Sequence, residues 1–303
     1  MSELVATDKL SKKYRGKYAL RDADVHVSQG DIYGLIGRNG AGKTTLLKLI
    51  NSQILPTSGH VMMKGKRLAY GSPNISLGAL VESPGFYPDY SALDNVRFLC
   101  QAAGRDKKGY AESLLEIVEL DGTGSKKAKQ FSLGMKQRLG IALALVNEPE
   151  LLILDEPING MDPQGIKDIR ELLVKLNRQQ GVTILISSHI LDELAKFATT
   201  YGIIKDGLVV SEFSREELES RNTSGIEITA PDIDPVARAL REGLKLQDIR
   251  VLSPQQLLIG DKVDDHGRVS RFLFDERIYV TGFTVRHNSL EDYFMGLTGG
   301  DEK

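Results

Sequence analysis

The chain has 303 residues, 41% of them apolar and 26% charged, with a formal net charge of -2. That balance fits a folded globular protein with room for one large domain and a smaller one, and excludes a disordered or low-complexity chain. It also argues against nucleic acid as the main partner, because such surfaces normally carry a basic excess. The single cysteine, Cys100, excludes an internal disulfide framework, and its apolar surroundings (96–100) mark it as a buried packing residue.

Residues 4–10 and 18–27 read as strands, with a turn at Gly30-Asp31. Residues 32–36 form a short buried-strand pattern that runs into a glycine-rich loop and a helical stretch over 43–50. A hairpin is expected over 58–66. Helical periodicity covers 93–104, 110–120 and 132–145, the last with Ser132 placed as its cap. Residues 151–154 read as a fully buried strand. A helix over 162–179, a strand over 182–187 and a helix over 191–198 follow. A hairpin turns at Asp206-Gly207.

The character changes after a charged helix over 214–221. A linker over 222–225 leads to a strand (226–229), a helix (235–243), two strands (248–252 and 256–259), a helix (268–276) and a strand (279–286). That β-α-β-β-α-β order is the ferredoxin-like plan. A last amphipathic helix covers 289–297. Two domains are expected, 1–221 and a small α+β domain at 222–303. The tail shows no cluster of metal ligands, its histidines His266 and His287 lying far apart. No stretch reaches the roughly 18–20 apolar residues that span a bilayer, and residues 1–8 lack a signal-peptide core. A cytosolic protein, held at a membrane only through another chain, is the expectation.

The run Gly37-Arg38-Asn39-Gly40-Ala41-Gly42-Lys43-Thr44 fits the phosphate-loop pattern G-x-x-x-x-G-K-[ST]. Its glycines let successive backbone N–H groups face one anion, and the helix that follows adds its positive end. Lys43 is placed to reach the β- and γ-phosphates, Thr44 to bind Mg²⁺, and Thr45 to add a phosphate contact. Downstream, the buried strand over 151–154 delivers Asp155 and Glu156 at its end. Asp155 suits assistance to Mg²⁺, and Glu156 suits a general base that polarises the attacking water. Between these motifs, Ser132 and Gly134 open a helix with a hydroxyl and a bare backbone, which suits an anion.

These motifs, together with Gln137-Arg138, Gly160-Met161-Asp162 and Ser187-Ser188-His189, stand in the order and at spacings similar to those of the ATP-binding-cassette ATPases. The resemblance covers roughly residues 4–215. It implies an α/β P-loop fold with a mixed, mainly parallel sheet core, an antiparallel β subdomain and a helical subdomain over about 83–147. It further implies ATP and Mg²⁺ as cofactors and a homodimer with ATP at its interface. A separate transmembrane permease is the implied partner. Carried over residue by residue, Ser132 and Gly134 act on the ATP held by a second copy, and Asp162 lines the dimer seam. His189 contacts the γ-phosphate and holds the attacking water. Tyr14 stacks on adenine, with Tyr18 as the alternative register.

Two departures stand out. The signature reads Ser132-Leu133-Gly134-Met135 where the family has Ser-Gly-Gly-Gln. Glu82 stands where the family places a Mg²⁺-sensing glutamine, and the resemblance implies it as a Mg²⁺ ligand with Thr44 and Asp155, at the cost of a negative charge near the phosphates. Residues 82–87, Glu-Ser-Pro-Gly-Phe-Tyr, and residues 289–294 are similar to the ATPases of bacitracin- and lantibiotic-type peptide exporters. That likeness implies export of an antimicrobial peptide or other amphipathic compound from the cytoplasmic face of the membrane. A soluble cassette protein acting on ribosomes or DNA is the alternative, but such relatives usually carry two cassettes or a coiled-coil insertion. An ATP-gated sensor is a third reading, and intact Glu156 and His189 favour turnover over binding alone.

Overall fold

The computed structural model describes residues 2–71, 76–220, 225–260, 266–286 and 290–298. The chain divides into two compact units, residues 1–215 and 216–303. The linker residues 222–224, His287 and residue 289 lie outside the described residues.

In the first unit, β1 (Glu3–Tyr14), β2 (Lys17–Ala23), β3 (His26–Ser28), β5 (Ser58–Met63) and β6 (Lys66–Arg67) make one sheet, β2-β1-β5-β6 with β3 also on β1. All its pairings are antiparallel. The second sheet holds β4 (Ile32–Ile36), β7 (Leu77–Leu80), β8 (Leu151–Asp155), β9 (Thr183–Ser188), β10 (Thr200–Lys205) and β11 (Leu208–Ser214). Its order is β11-β10-β4-β9-β8-β7, parallel throughout except for the antiparallel edge strand β11. Strands β4, β8 and β9 are buried at every residue. Covered on both faces, they read as continuous apolar runs rather than alternating ones.

Helix α1 (Lys43–Ile50) leaves the glycine loop after β4 and buries Leu46, Leu47, Leu49 and Ile50. A helical group follows: α2 (Ala92–Ala102), α3 (Tyr110–Ile117) and α4 (Leu133–Ala144). Cys100 is buried in α2, and burial pushes its thiol pKa up, which keeps it unreactive as expected. Strand β7 is absent from the sequence expectations. Its Leu-Gly-Ala-Leu is too short to show a period, and its glycine serves packing. A Cβ on Gly78 would come within 2.2 Å of the Ala144 carbonyl oxygen, so the end of α4 lies directly on the strand. Helices α5 (Pro163–Gln180) and α6 (Leu191–Ala195) complete the unit. The Asp162 side chain caps α5 by accepting from Gly165 N at 3.0 Å.

The two sheets are tied through Glu212 on β11. Its carboxylate accepts from His26 N at 2.9 Å and from Tyr33 OH at 2.6 Å, and stands 2.8 Å from His26 Nδ1. That pairing raises the pKa of His26 above its ordinary 6.5. The charged pair therefore stabilises fully below about pH 6.5, and its contribution is lost as pH rises through the raised value. The ring is half exposed, which limits the effect to about 0.5 kcal/mol. His26→Asn is expected to lower the melting temperature more at pH 6 than at pH 8.5, measured by calorimetry. An equal loss at both values would refute the assignment.

The second unit begins within α7 (Arg215–Ser220) and holds β12 (Gly225–Thr229), α8 (Asp234–Gly243), β13 (Ile249–Ser253), β14 (Gln256–Ile259), α9 (His266–Asp275), β15 (Gly282–Arg286) and α10 (Leu290–Thr298). Its four strands form an antiparallel sheet in the order β13-β14-β12-β15. Ile226, Ile228, Val236, Leu240, Leu257 and Leu273 are among its core. Residues 279–281, expected as strand, precede the ladder, because β12 ends at Thr229 and its partner there is Gly282.

Candidate functional site

The site sits at the carboxyl ends of β4, β9 and β8, which are neighbours in the sheet. Register places Ile36 beside Ser188 and Asp155 beside Ser187. The glycine loop after Ile36, the carboxylates after Leu154 and His189 after Ser188 therefore emerge side by side. Ligands in open α/β sheets bind at such strand ends.

The glycines serve conformation and close approach. Gly42 has φ +113 and abuts β2, where an added Cβ would lie 2.6 Å from the Ala19 carbonyl oxygen. Gly37 and Ala41 are buried, whereas Arg38, Asn39 and Gly40 are exposed at the mouth of the loop. Thr44 and Thr45 are half-buried on the first turn of α1.

Lys43 is 5% exposed. Its Nζ donates to the carbonyl oxygens of Gly37 at 2.6 Å and Arg38 at 3.3 Å. It also stands 3.0 Å from Glu156 Oε1, although outside hydrogen-bonding geometry, so that buried oxygen has no hydrogen-bond partner. Thr44 Oγ1 donates to Asp155 Oδ2 at 2.7 Å. Ser187 was missed as a site residue by the sequence reasoning. Its hydroxyl donates to Asp155 Oδ1 at 2.6 Å and accepts from Glu156 N at 2.9 Å, fixing the Asp155 carboxylate and the Glu156 backbone. Its signals in the sequence are its place at the end of a buried strand and in the motif Ser187-Ser188-His189, neither of which gave it a role. Glu156 Oε2 lies 2.8 Å from His189 Nδ1. Glu156 itself has φ 49, in the left-handed region that a non-glycine residue enters at a cost.

The structure thus brings Lys43, Thr44, Asp155, Glu156 and His189 into one hydrogen-bonded and ion-paired cluster. It places Ser132, Gly134 and Asp162 elsewhere, in an open groove of about 620 Å³ that no glycine-loop residue lines. Leu133, Met135, Gly160 and Arg138 share that groove. Ser132 caps α4, accepting from Met135 N at 3.3 Å, as expected. Leu133 is 44% exposed. Arg138 Nη1 donates to Glu119 Oε2 at 2.5 Å, and Nη2 lies 3.3 Å from Asp168, which fixes the groove wall.

The Glu82 carboxylate is paired with Lys48 Nζ at 2.5 Å, and not with a member of the cluster. Tyr14 and Tyr18 are both about half exposed at the β1–β2 hairpin. Lys12 lies over the Tyr14 ring and Lys13 over the Tyr18 ring. Ala19, which abuts Gly42, is the neighbour of Tyr18. No helix among the described residues is long and apolar enough to cross a membrane, and no group of three or more acidic, histidine or cysteine side chains among them is placed to hold a metal.

The cluster suits a nucleotide with its divalent cation. Thr44 Oγ1 and Asp155 offer hard oxygen atoms, and a buried ammonium faces an unbonded carboxylate oxygen beside a backbone loop able to cradle phosphate. Comparison with known proteins points the same way. A family model described as ABC transporter matches residues 20–159. The bacitracin transport ATP-binding protein BcrA of Bacillus licheniformis is 38% identical over 302 residues, 99% of this chain and 99% of its own. The lantibiotic transport ATP-binding protein SrtF of Streptococcus pyogenes is 39% identical over 203 residues, 67% of this chain and 87% of its own. Among solved structures, the dimeric post-hydrolysis state of the ATP-binding cassette MJ0796 bound to ADP and Pi superposes with a TM-score of 0.62. It is 25% identical, over 70% of this chain and 99% of that one. With a relative of that kind aligned along nearly its whole length, the chain belongs to the ATP-binding-cassette transporter family and hydrolyses ATP.

Proposed function

We propose that the chain powers export of an antimicrobial peptide, or another amphipathic compound, through a separate membrane-spanning permease. Two copies close head to tail on two ATP molecules. The observation that carries this reading is the division of the predicted site in one chain. Lys43, Thr44, Asp155, Glu156 and His189 form one cluster, and Ser132, Gly134 and Asp162 line a separate groove. A phosphate that touches both must lie between two copies. ATP then favours the closed pair because its γ-phosphate binds that state better, and loss of the γ-phosphate releases it.

Within the cluster, Lys43 binds the β- and γ-phosphates, and the backbone from Gly37 through Gly42 cradles them with Thr45. Thr44 and Asp155 would hold Mg²⁺, which when bound neutralises phosphate charge. Glu156 takes a proton from the attacking water, and His189 orients that water and contacts the γ-phosphate. Tyr14, or Tyr18 in the alternative register, stacks on adenine. The C-terminal unit is a ferredoxin-like appendage. The peptide cargo is supported by the relatives, whose names place them in bacitracin and lantibiotic transport.

Permease docking is supported by an exposed aromatic trio. Tyr87, Tyr90 and Phe98 are 61%, 48% and 38% exposed, with edge-to-face centroid separations of 5.1–6.1 Å. Asn95 locks Tyr87 to α2, accepting from Tyr87 N at 2.6 Å and donating to Tyr87 O at 3.0 Å. Exposed aromatic clusters of this kind mark protein interfaces. Affinity purification from detergent-solubilised cells is expected to recover a membrane-embedded polypeptide with the chain, and less of it from Tyr87→Ala/Phe98→Ala. Recovery of ribosomes or nucleic acid alone would overturn the reading.

A further inference from the structure

We propose that the β1–β2 hairpin is a docking surface for a second copy of this chain. Arg15 and Lys17 at its tip seat against an acidic rim, Glu119 and Asp121, on the groove of the other copy. This rests on the head-to-tail pair proposed above. Residues 12–21 carry five cations, Lys12, Lys13, Arg15, Lys17 and Arg21, and no acid, in a chain whose net charge is -2. Lys13, Arg15 and Lys17 are exposed. Lys12 Nζ donates to the Leu55 carbonyl oxygen at 2.6 Å, and Lys13 Nζ stands 4.2 Å from the centroid of the Tyr18 ring. Arg21 lies 3.6 Å from Asp22, and among the described residues no carboxylate is ion-paired with the other four.

The tip is built to hold its charge in place. Tyr14 pairs with Lys17 in register, so Arg15-Gly16 is a two-residue turn. Both residues have positive φ, 48 and 85, the pattern of a type I′ turn. That turn favours asparagine, aspartate or glycine at its first position, so an arginine is kept there at a conformational cost. A tight hairpin also loses little freedom on docking. It stands beside the nucleotide site, because the Ala19 carbonyl oxygen lies 2.6 Å from where a Cβ on Gly42 would be. Lys17 is two residues from Ala19, about 7 Å along the strand.

The groove has the opposite sign. Its charged lining is Glu119, Asp162 and Asp168 against Arg138. The Arg138 side chain is 12% exposed and that of Glu119 is 65% exposed, so the guanidinium lies beneath and the acid faces outward. Asp121, between the lining residues Leu120 and Gly122, is exposed as well. The lysines that follow are engaged elsewhere, Lys126 over the Phe131 ring and Lys129 on Asp89. A groove of that sign repels the phosphate it is to receive, and like charges brought together across an interface are costly. Lys43 is buried behind the phosphates, so the rim must be matched by cations on the surface of the incoming copy. The hairpin, fixed next to the glycine loop, arrives with the phosphate and supplies them.

The test is a charge swap in the Glu156→Gln chain, with dimerisation in ATP followed by sedimentation velocity. Lys17→Glu and Asp121→Lys are each expected to weaken the dimer, and the two together to restore it to within about twofold. A worth of about two- to threefold per exposed pair becomes about four- to tenfold, because a two-fold dimer contains each pair twice. The dimer should also weaken as salt rises, and less steeply in Lys17→Glu. Arg15→Gln/Lys17→Gln, which removes charge without adding acid, should weaken the dimer as well and carries the test if Lys17→Glu does not fold. An unchanged dimer in the hairpin variants, or a loss that Asp121→Lys does not repair, would overturn the proposal. So would flotation of the chain with phosphatidylglycerol vesicles that the hairpin variants lose while their dimer stays intact, since the occupant would then be a lipid surface. Absence of any ATP-dependent dimer in the parent Glu156→Gln chain would sink the head-to-tail pair itself, and this docking with it.

Discussion

Glu156→Gln is expected to lower ATP turnover by about 10²–10⁴-fold, the usual worth of a positioned general base, while ATP binding survives. Glutamine has nearly the shape of glutamate, so its backbone N–H keeps Ser187 and its side chain still reaches His189 Nδ1, now 2.8 Å from Oε2. What is lost is the ability to accept a proton. ATP then stays intact between two copies, so size-exclusion chromatography with ATP should show a dimer that the wild type forms only briefly. Phosphate release measures the turnover. Hydrolysis at the wild-type rate would remove Glu156 from the role of base.

Lys43→Met is expected to fail at an earlier step. Methionine fills much of the same volume, but the carbonyl oxygens of Gly37 and Arg38 and the Glu156 carboxylate lose the buried ammonium they face. Leaving buried acceptors unpaired costs about 1–3 kcal/mol, which should appear as a lower melting temperature without nucleotide. Loss of a preorganised cation at the transferred phosphoryl group should cut turnover by about 10²–10³-fold. Calorimetric titration with ADP separates the variants: Glu156→Gln should bind it, and Lys43→Met should bind it weakly or not at all. Wild-type ADP affinity in Lys43→Met would show that the lysine does not hold phosphate.

The central sheet was legible because strands buried on both faces carry their pattern in a few consecutive residues, as in residues 32–36 and 151–154. The glycine loop was legible because few residue combinations allow such a backbone. Strand β7 was not, since a helix lying on Gly78 leaves it no side-chain pattern to display. The partnership of Lys48 with Glu82 was also hidden. A lysine in the last turn of a helix reads as a solvated charge that suits the helix dipole, and nothing in the chain's order brings residue 82 to it. Ser187 looked like the end of a strand. Its role follows from strand register, which sets it beside Asp155 and which no single stretch of sequence contains. The resemblance already set Ser132, Gly134 and Asp162 apart from Lys43, but that the three share one groove depends on how α4 and α5 pack.

The backbone of Glu156 has a bearing on how the protein trades robustness against work. At φ 49 the position suits glycine better than any acid. A chain shaped for durability alone would place the smaller residue there and melt at a higher temperature. Carrying a carboxylate at such a point leaves the cassette less rugged than its own fold permits, and locates that sacrifice at the one side chain positioned against both Lys43 and His189.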